Sequence, residues 1–168
     1  MNSNLSFIPL GGVATVTRNM FLYVYKNEIL IVDCGLGFPD ESMLGVDLLL
    51  PDITSLLEMI KPAKGGSASG GKKIVGMVLT HGHEDHIGGL PFILPQLPEF
   101  PIYASPFTAA LANEKLIEFR LARSIQVVHF DDADVTLGDF SASFVHVTHS
   151  VPDSANIIIK TPIGNFFH

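Results

Sequence analysis

Ile74-Val75-Gly76-Met77-Val78-Leu79-Thr80-His81-Gly82-His83-Glu84-Asp85-His86 decides how this chain is read: an apolar run breaks directly into three imidazoles and two carboxylates. A core has no use for such a cluster, because buried imidazoles and carboxylates are costly unless they are paired or bound to metal. The apolar run reads as a strand. In an extended segment His81 and His83, two apart, point the same way and grip one metal ion. Asp85 and His86 follow as the chain turns into a helix, and they reach a second ion close by. Gly82, Gly88 and Gly89 allow the backbone to fold tightly around the ions. Glu84 points away from its neighbours and is not expected to be a ligand.

Working outward, a second histidine segment reads Val147-Thr148-His149-Ser150-Val151-Pro152-Asp153. Alone, His149 would read as a hydrogen-bonded residue after a strand. Beside the first cluster it reads as a third imidazole on the ion held by His81 and His83. That leaves an open position for water, as catalytic zinc requires. Imidazole and carboxylate donors suit zinc and also admit manganese. His146 falls on the opposite face of the same strand and reads as a sheet residue or a substrate contact, and His129 reads as structural. His168 stays ambiguous. Asp33, at a strand end before Cys34-Gly35-Leu36-Gly37, reads on local grounds either as a turn former or as a functional carboxylate.

The remaining pattern mixes hairpin-linked strands with helices. Strands are expected at 5–10, 20–26, 28–32, 74–79, 101–104, 125–130, 135–137, 140–147, 155–161 and 165–167. Helices are expected from about Asp52 or Thr54 through Ile60, from Gly88 to Leu97 with kinks at Pro91 and Pro95, and from Ser105-Pro106 to about Arg120. Ser105 should cap the last of these. The Gly/Ser run at 64–72 reads as an exposed, mobile loop, with strand 74–79 belonging to the sheet that precedes it. The whole is an α/β sandwich of mixed sheets flanked by helices.

Composition narrows the class. The chain has 168 residues, 47% of them hydrophobic and 16% charged, which suits one folded domain and argues against wholesale disorder. Its apolar runs are too short to span a bilayer. The first residues lack the pattern of a secretory signal, and Cys34 is the only cysteine, so a reducing cytoplasm is expected. A net charge of −7 would not by itself suggest a nucleic-acid binder, although two divalent cations would offset several units of it.

His81-Gly82-His83-Glu84-Asp85-His86 matches the His-x-His-x-Asp-His motif of the metallo-β-lactamase superfamily. Further stretches narrow the likeness: Leu10-Gly11-Gly12, Ile31 to Pro39, Met43 to Asp47, Leu50 to Ile53, His86 to Pro91 and His149 to Ser154. With these the chain resembles ribonuclease J, in the β-CASP branch of that superfamily. The resemblance covers nearly the whole chain apart from the Gly/Ser insertion, and it departs from the family at Val13 to Asn19. It implies an αββα metallo-β-lactamase-like sandwich, here partial. Residues 1–168 would be the N-terminal part of that domain, with the β-CASP and C-terminal parts absent.

It also implies a zinc site of His81, His83 and His149 and a second of Asp85 and His86, with Asp33 orienting a ligand from behind. Asp85 and His86 would carry catalysis, Asp85 also orienting the attacking water. Ser150, Asp153 and Ser154 would touch the substrate phosphate or brace His149, or would simply form the loop. The implied reaction is RNA phosphodiester hydrolysis by a metal-activated hydroxide, as 5′-to-3′ exonuclease and endonuclease. The family's bridging aspartate is expected just after His168, so the chain alone should turn RNA over poorly. RNA is the implied partner; no membrane is involved, and the full-length protein is open to forming a homo-oligomer. Other hydrolysis on the same fold (thioester, lactone or lactam) and a non-catalytic metal-binding module are the alternatives.

Overall fold

The computed structural model describes residues 4–62 and 71–168. Two sheets lie face to face. The first has six strands in chain order: β1 (Leu5–Gly11), β2 (Met20–Tyr25), β3 (Glu28–Val32), β4 (Lys73–Leu79), β5 (Ile102–Ala104) and β6 (Ile125–Val127). β1 pairs antiparallel with β2 across the segment 12–19, β2 pairs antiparallel with β3 through the tight turn at Lys26-Asn27, and β3 to β6 run parallel. The second sheet is an antiparallel meander of β7 (Val135–Leu137), β8 (Phe140–His146), β9 (Ala155–Thr161) and β10 (Gly164–Phe167).

Side-chain alternation builds the layers. Ile29 and Ile31 of β3 face a core shared with the helices, while Leu30 and Val32 face the second sheet. All four are fully buried, each stabilising the fold by about 1.5–3 kcal/mol. That is why β3 reads as an unbroken apolar run rather than an alternating one. On the helix side lie α1 (Thr54–Ile60), α2 (Glu84–Ile87), α3 (Leu90–Ile93) and α4 (Pro106–Glu118), which contribute Leu56, Ile87, Leu90, Ile93, Ala109, Ala112 and Leu116 to that core. Between the sheets, Tyr23, Tyr25, Phe140, Phe144, Ile157 and Ile159 interdigitate. Helix, sheet and sheet therefore give three layers of the expected sandwich among the described residues.

Three local expectations are corrected. The helix expected over 88–97 starts earlier, at Glu84, and is divided into α2, α3 and a 3₁₀ turn (Leu94–Gln96), with Pro91 and Pro95 each in a first turn. A proline lacks the N–H that would continue the preceding helix, so each begins a new turn. The strand expected at 125–130 stops at Val127. Ser105 occupies the N-cap of α4, but its hydroxyl donates to the Asp153 carbonyl and lies 3.0 Å from the Thr108 hydroxyl. The Asp153 carboxylate, from the β8–β9 loop, accepts the Phe107 N–H instead, at 3.1 Å. The Gly/Ser run expected to be a mobile loop lies outside the described residues from 64 to 70. No described helix is long and apolar enough to cross a membrane.

Candidate metal centre

The functional side chains gather where the two sheets meet at the end of β4. Asp33, directly after β3, adopts a left-handed backbone (φ 60°) and is fully buried. Aspartate tolerates that conformation better than most residues. Its Oδ1 accepts the Thr80 N–H at 2.8 Å, and its Oδ2 accepts the Thr80 hydroxyl at 2.8 Å and His86 Nδ1 at 2.7 Å. The chain of donors then fixes two ring tautomers. With its one proton given to Asp33, the Thr80 oxygen remains an acceptor for His81 Nδ1, 3.0 Å away. Both His81 and His86 therefore carry a proton on Nδ1 and keep a lone pair on Nε2, the form a metal needs.

Electrostatics separate these two rings. Burial pushes His81 down, helped by His86, His149 and His83 and only partly opposed by Asp33, to about 4. His81 is thus neutral at physiological pH. Burial also pushes His86 down, but hydrogen bonding and attraction from Asp33, with Asp85 adding, hold it above the ordinary histidine value.

His81, His83 and His149 each present a ring nitrogen, and the three atoms lie within 4.8 Å of one another. The rings stand nearly perpendicular, with centroids 4.8–4.9 Å apart. His81 Nε2 and His83 Nδ1 are 3.1 Å apart. Two nitrogens bound tetrahedrally to one zinc ion at about 2.0–2.1 Å would be about 3.3 Å apart. The His81–His83 pair therefore stands near the spacing a zinc ion requires, with the His149 nitrogen within 4.8 Å of both.

Asp85 and His86 form the adjoining edge of the cluster. Asp85 Oδ2 lies 3.4 Å from His86 Nε2, and the His81 and His86 rings are 4.0 Å apart between centroids. Glu84 is turned outward to Lys115 at 2.9 Å, away from the rings. A cavity of about 310 Å³, lined by Asp33, Thr80, His81, His86, His149 and His168 among others, opens beside them.

Backbone contacts hold this arrangement. Cys34 N–H donates to the His86 carbonyl at 2.8 Å, Leu36 N–H to Glu84 at 3.1 Å, and Gly89 N–H returns to Cys34 at 2.8 Å. Gly35 has to be glycine here: a Cβ would fall 1.6 Å from the Asp85 carbonyl oxygen. On the other side, Ala155 N–H donates to the Thr80 carbonyl at 2.9 Å, tying the second sheet to the first beside the histidines. Ser150 Oγ is 3.1 Å from His83 Nε2. Ser154 is buried and closes its own loop on the Val151 carbonyl at 3.0 Å, while Asp153 anchors that loop to α4. His146 packs edge-on against Phe130, and His129 lies in a turn whose N–H is taken by Asp132. Cys34 is fully buried, and burial pushes its thiol well above the ordinary range.

Two participants were not read from the sequence. Asn19, in the divergent 13–19 segment, donates from Nδ2 to Asp85 Oδ2 at 3.0 Å and lies 3.1 Å from His86 Nε2. Its N–H also donates to the Asp85 carbonyl at 2.9 Å. A lone asparagine before a strand carries no local signal for this. His168, left ambiguous, lies against the same cavity, with Nδ1 3.1 Å from the Tyr23 hydroxyl.

This fold and its histidine-rich edge define a metallo-β-lactamase-type domain. Residues 14–167 match the family model described as metallo-beta-lactamase superfamily, and the chain belongs to that superfamily. Among characterised proteins, the chain is 39% identical over 172 aligned positions to ribonuclease J of Thermus thermophilus, covering 98% of this chain and 28% of that enzyme. Relatives between 33% and 39% identical carry the name ribonuclease J, which upholds the resemblance read from the motifs. Solved structures agree on the fold. A protein of unknown function from Enterococcus faecalis V583 superposes with a TM-score of 0.71 at 19% identity, over 97% of this chain and 42% of that one. The metallo-beta-lactamase fold protein YhfI from Bacillus subtilis gives 0.57 at 20% identity, over 94% and 58%.

Proposed function

We propose that residues 1–168 form the N-terminal, metal-binding part of a cytoplasmic, metal-dependent ribonuclease that hydrolyses RNA phosphodiester bonds as 5′-to-3′ exonuclease and endonuclease. One observation carries the reading: the ring nitrogens of His81, His83 and His149 converge within 4.8 Å beside Asp85 and His86, in a chain whose curated relatives are named ribonuclease J. His81, His83 and His149 hold one zinc ion, and Asp85 with His86 holds the second, manganese being the other candidate metal. Divalent cations bound there supply a water that ionises near neutral pH and offset the negative charge of the phosphodiester.

The chain's own residues do the rest. Asp33 holds His86 by Nδ1, so that Nε2 faces the site. Thr80 does the same for His81. Asn19 steadies Asp85, which can then orient the attacking water as well as ligate. Ser150, exposed beside His83, is placed to meet a phosphate oxygen. Asp153 and Ser154 act through the loop that carries His149.

The test combines metal analysis of the purified chain with cleavage of 5′-monophosphorylated RNA by the full-length protein and by its His83→Ala and Asp85→Ala variants. At least one bound zinc ion is expected in the chain, poor turnover by residues 1–168 alone, and loss of cleavage in both variants with the fold retained. Absence of bound metal, or unchanged turnover in either variant, overturns the assignment.

A further inference from the structure

His168 continues β10 beyond Phe167, its backbone exchanging two 2.9 Å hydrogen bonds with Ile157. This register places its ring in the seam between the sheets. The ring packs edge-on against Phe21 at 4.9 Å and lies 5.9 Å from Tyr23 and 6.4 Å from Phe7. Tyr23 is only 5% exposed, and its hydroxyl has no hydrogen-bond partner other than His168 Nδ1 among the described residues. A phenol O–H is a strong donor, and the unprotonated nitrogen of a neutral imidazole is a strong acceptor. The bond therefore runs from Tyr23 to Nδ1 and leaves the ring proton on Nε2. That atom points away from Tyr23 and has no partner among the described residues. The ring forms part of the wall of the cavity shared by Asp33, His81, His86 and His149. Burial pushes His168 below its ordinary value, in keeping with a neutral ring.

We infer that His168 is a substrate-contacting residue, its Nε2–H donating to a non-bridging oxygen of the phosphate in the cavity, with Tyr23 as the positioning residue that fixes this tautomer. The inference rests on the phosphodiester reading above and deepens it. Carrying its proton on Nε2, His168 cannot ligate a metal with that atom, so it differs in kind from the neighbouring imidazoles. A donor on the cavity wall with no acceptor among the described residues is open to a ligand, and the charged oxygen of a phosphate is a strong acceptor for it.

The test uses the zinc-loaded full-length protein and its His168→Ala, His168→Gln and Tyr23→Phe variants. Removing a hydrogen bond to a charged group should lower kcat/KM on 5′-monophosphorylated RNA by about tenfold to a hundredfold in His168→Ala. Zinc content should be unchanged, and His168→Gln, which places an N–H near the Nε2 position, should recover part of the loss. Inorganic phosphate should bind the zinc-loaded His168→Ala protein several-fold more weakly than wild type, followed by ³¹P NMR. Nitrogen-15 spectra should show the Nε2–H tautomer in wild type and a mixture in Tyr23→Phe. Wild-type kcat/KM and phosphate affinity in His168→Ala, zinc loss in step with activity, or an Nδ1–H tautomer each overturns the inference. Should wild type cleave no RNA, the ribonuclease reading fails, and phosphate binding with the tautomer still decides the role of His168.

Discussion

Replacing Asp33 by asparagine separates holding the fold from holding the metal. The left-handed backbone at this position suits Asn as well as Asp, and the side chains are nearly isosteric. Asparagine's carbonyl oxygen can replace Oδ1 and keep the Thr80 N–H, and the Thr80 hydroxyl can rotate to accept from the new amide. Those two contacts survive, so the expected stability loss is only about 1–2 kcal/mol. His86 fares differently. Its Nδ1–H now faces an N–H₂ donor across 2.7 Å, and the clash is relieved by moving the ring proton to Nε2. The lone pair beside Asp85 is lost with it. Zinc affinity at the Asp85–His86 position should fall about 10- to 100-fold, as measured for lost supports of metal-bound histidine, while His81, His83 and His149 keep their ion. Asp33→Ala should differ in the other respect. It orphans the Thr80 N–H inside the core and weakens two further bonds, for about 2–4 kcal/mol. Zinc titration against a chromophoric chelator reads the affinities, and a denaturant melt reads the stabilities. If Asp33→Asn binds both ions as tightly as wild type, the account of Asp33 as the support of His86 is wrong.

Gly35→Ala should cost about 3 kcal/mol or more, because its Cβ meets the Asp85 backbone at 1.6 Å and neither the segment after β3 nor α2, hydrogen-bonded to each other, can retreat; soluble yield and melting temperature measure it, and a wild-type melt would contradict the packing. Asn19→Ala frees the Asp85 carboxylate and should weaken the second zinc site about tenfold while leaving the three-histidine site intact, read in the same chelator titration. Stability of the metal-free protein should fall on acidification through one signed contribution. His81 has a folded value of about 4 against an unfolded value of about 6.5, so protons favour the unfolded chain between those limits. Its contribution is fully present above pH 6.5 and is lost as the pH falls toward 4. His86, held above its ordinary value, acts with the opposite sign, adding stability at low pH that is lost as pH rises through its folded value. His81→Asn should flatten the acid limb in a melting-temperature series; an unchanged limb would refute the assignment.

Local chemistry made much of this legible. His81, His83, Asp85 and His86 lie within one turn of chain, so their convergence needs only a strand and a helix start. The hairpins at Lys26-Asn27, Gly138-Asp139 and Pro162-Ile163 are short and flanked by β-branched and aromatic runs. What stayed hidden depends on partners far along the chain. Asp33 looks like a turn former until Thr80 and His86 are brought against it. Asp153 resembles a loop residue near the substrate, yet it caps a helix forty-odd residues earlier. Asn19 enters the site because its backbone already pairs with Asp85. Boundaries shifted for the same reason, with β6 ending where its neighbour β5 offers no more edge.

The bond from Ala155 to Thr80 marks where the second sheet meets the first. The three imidazoles straddle that seam, His81 and His83 on one side and His149 on the other. An ion among them is therefore a removable rivet between two halves of the domain, in a chain whose single cysteine is sealed in the core and can form no internal disulfide. Its clamping strength rises with the free concentration of the metal by mass action. Scarcity would loosen the seam, expose the β8–β9 loop to proteases, and couple the lifetime of the protein to the metal supply of its surroundings.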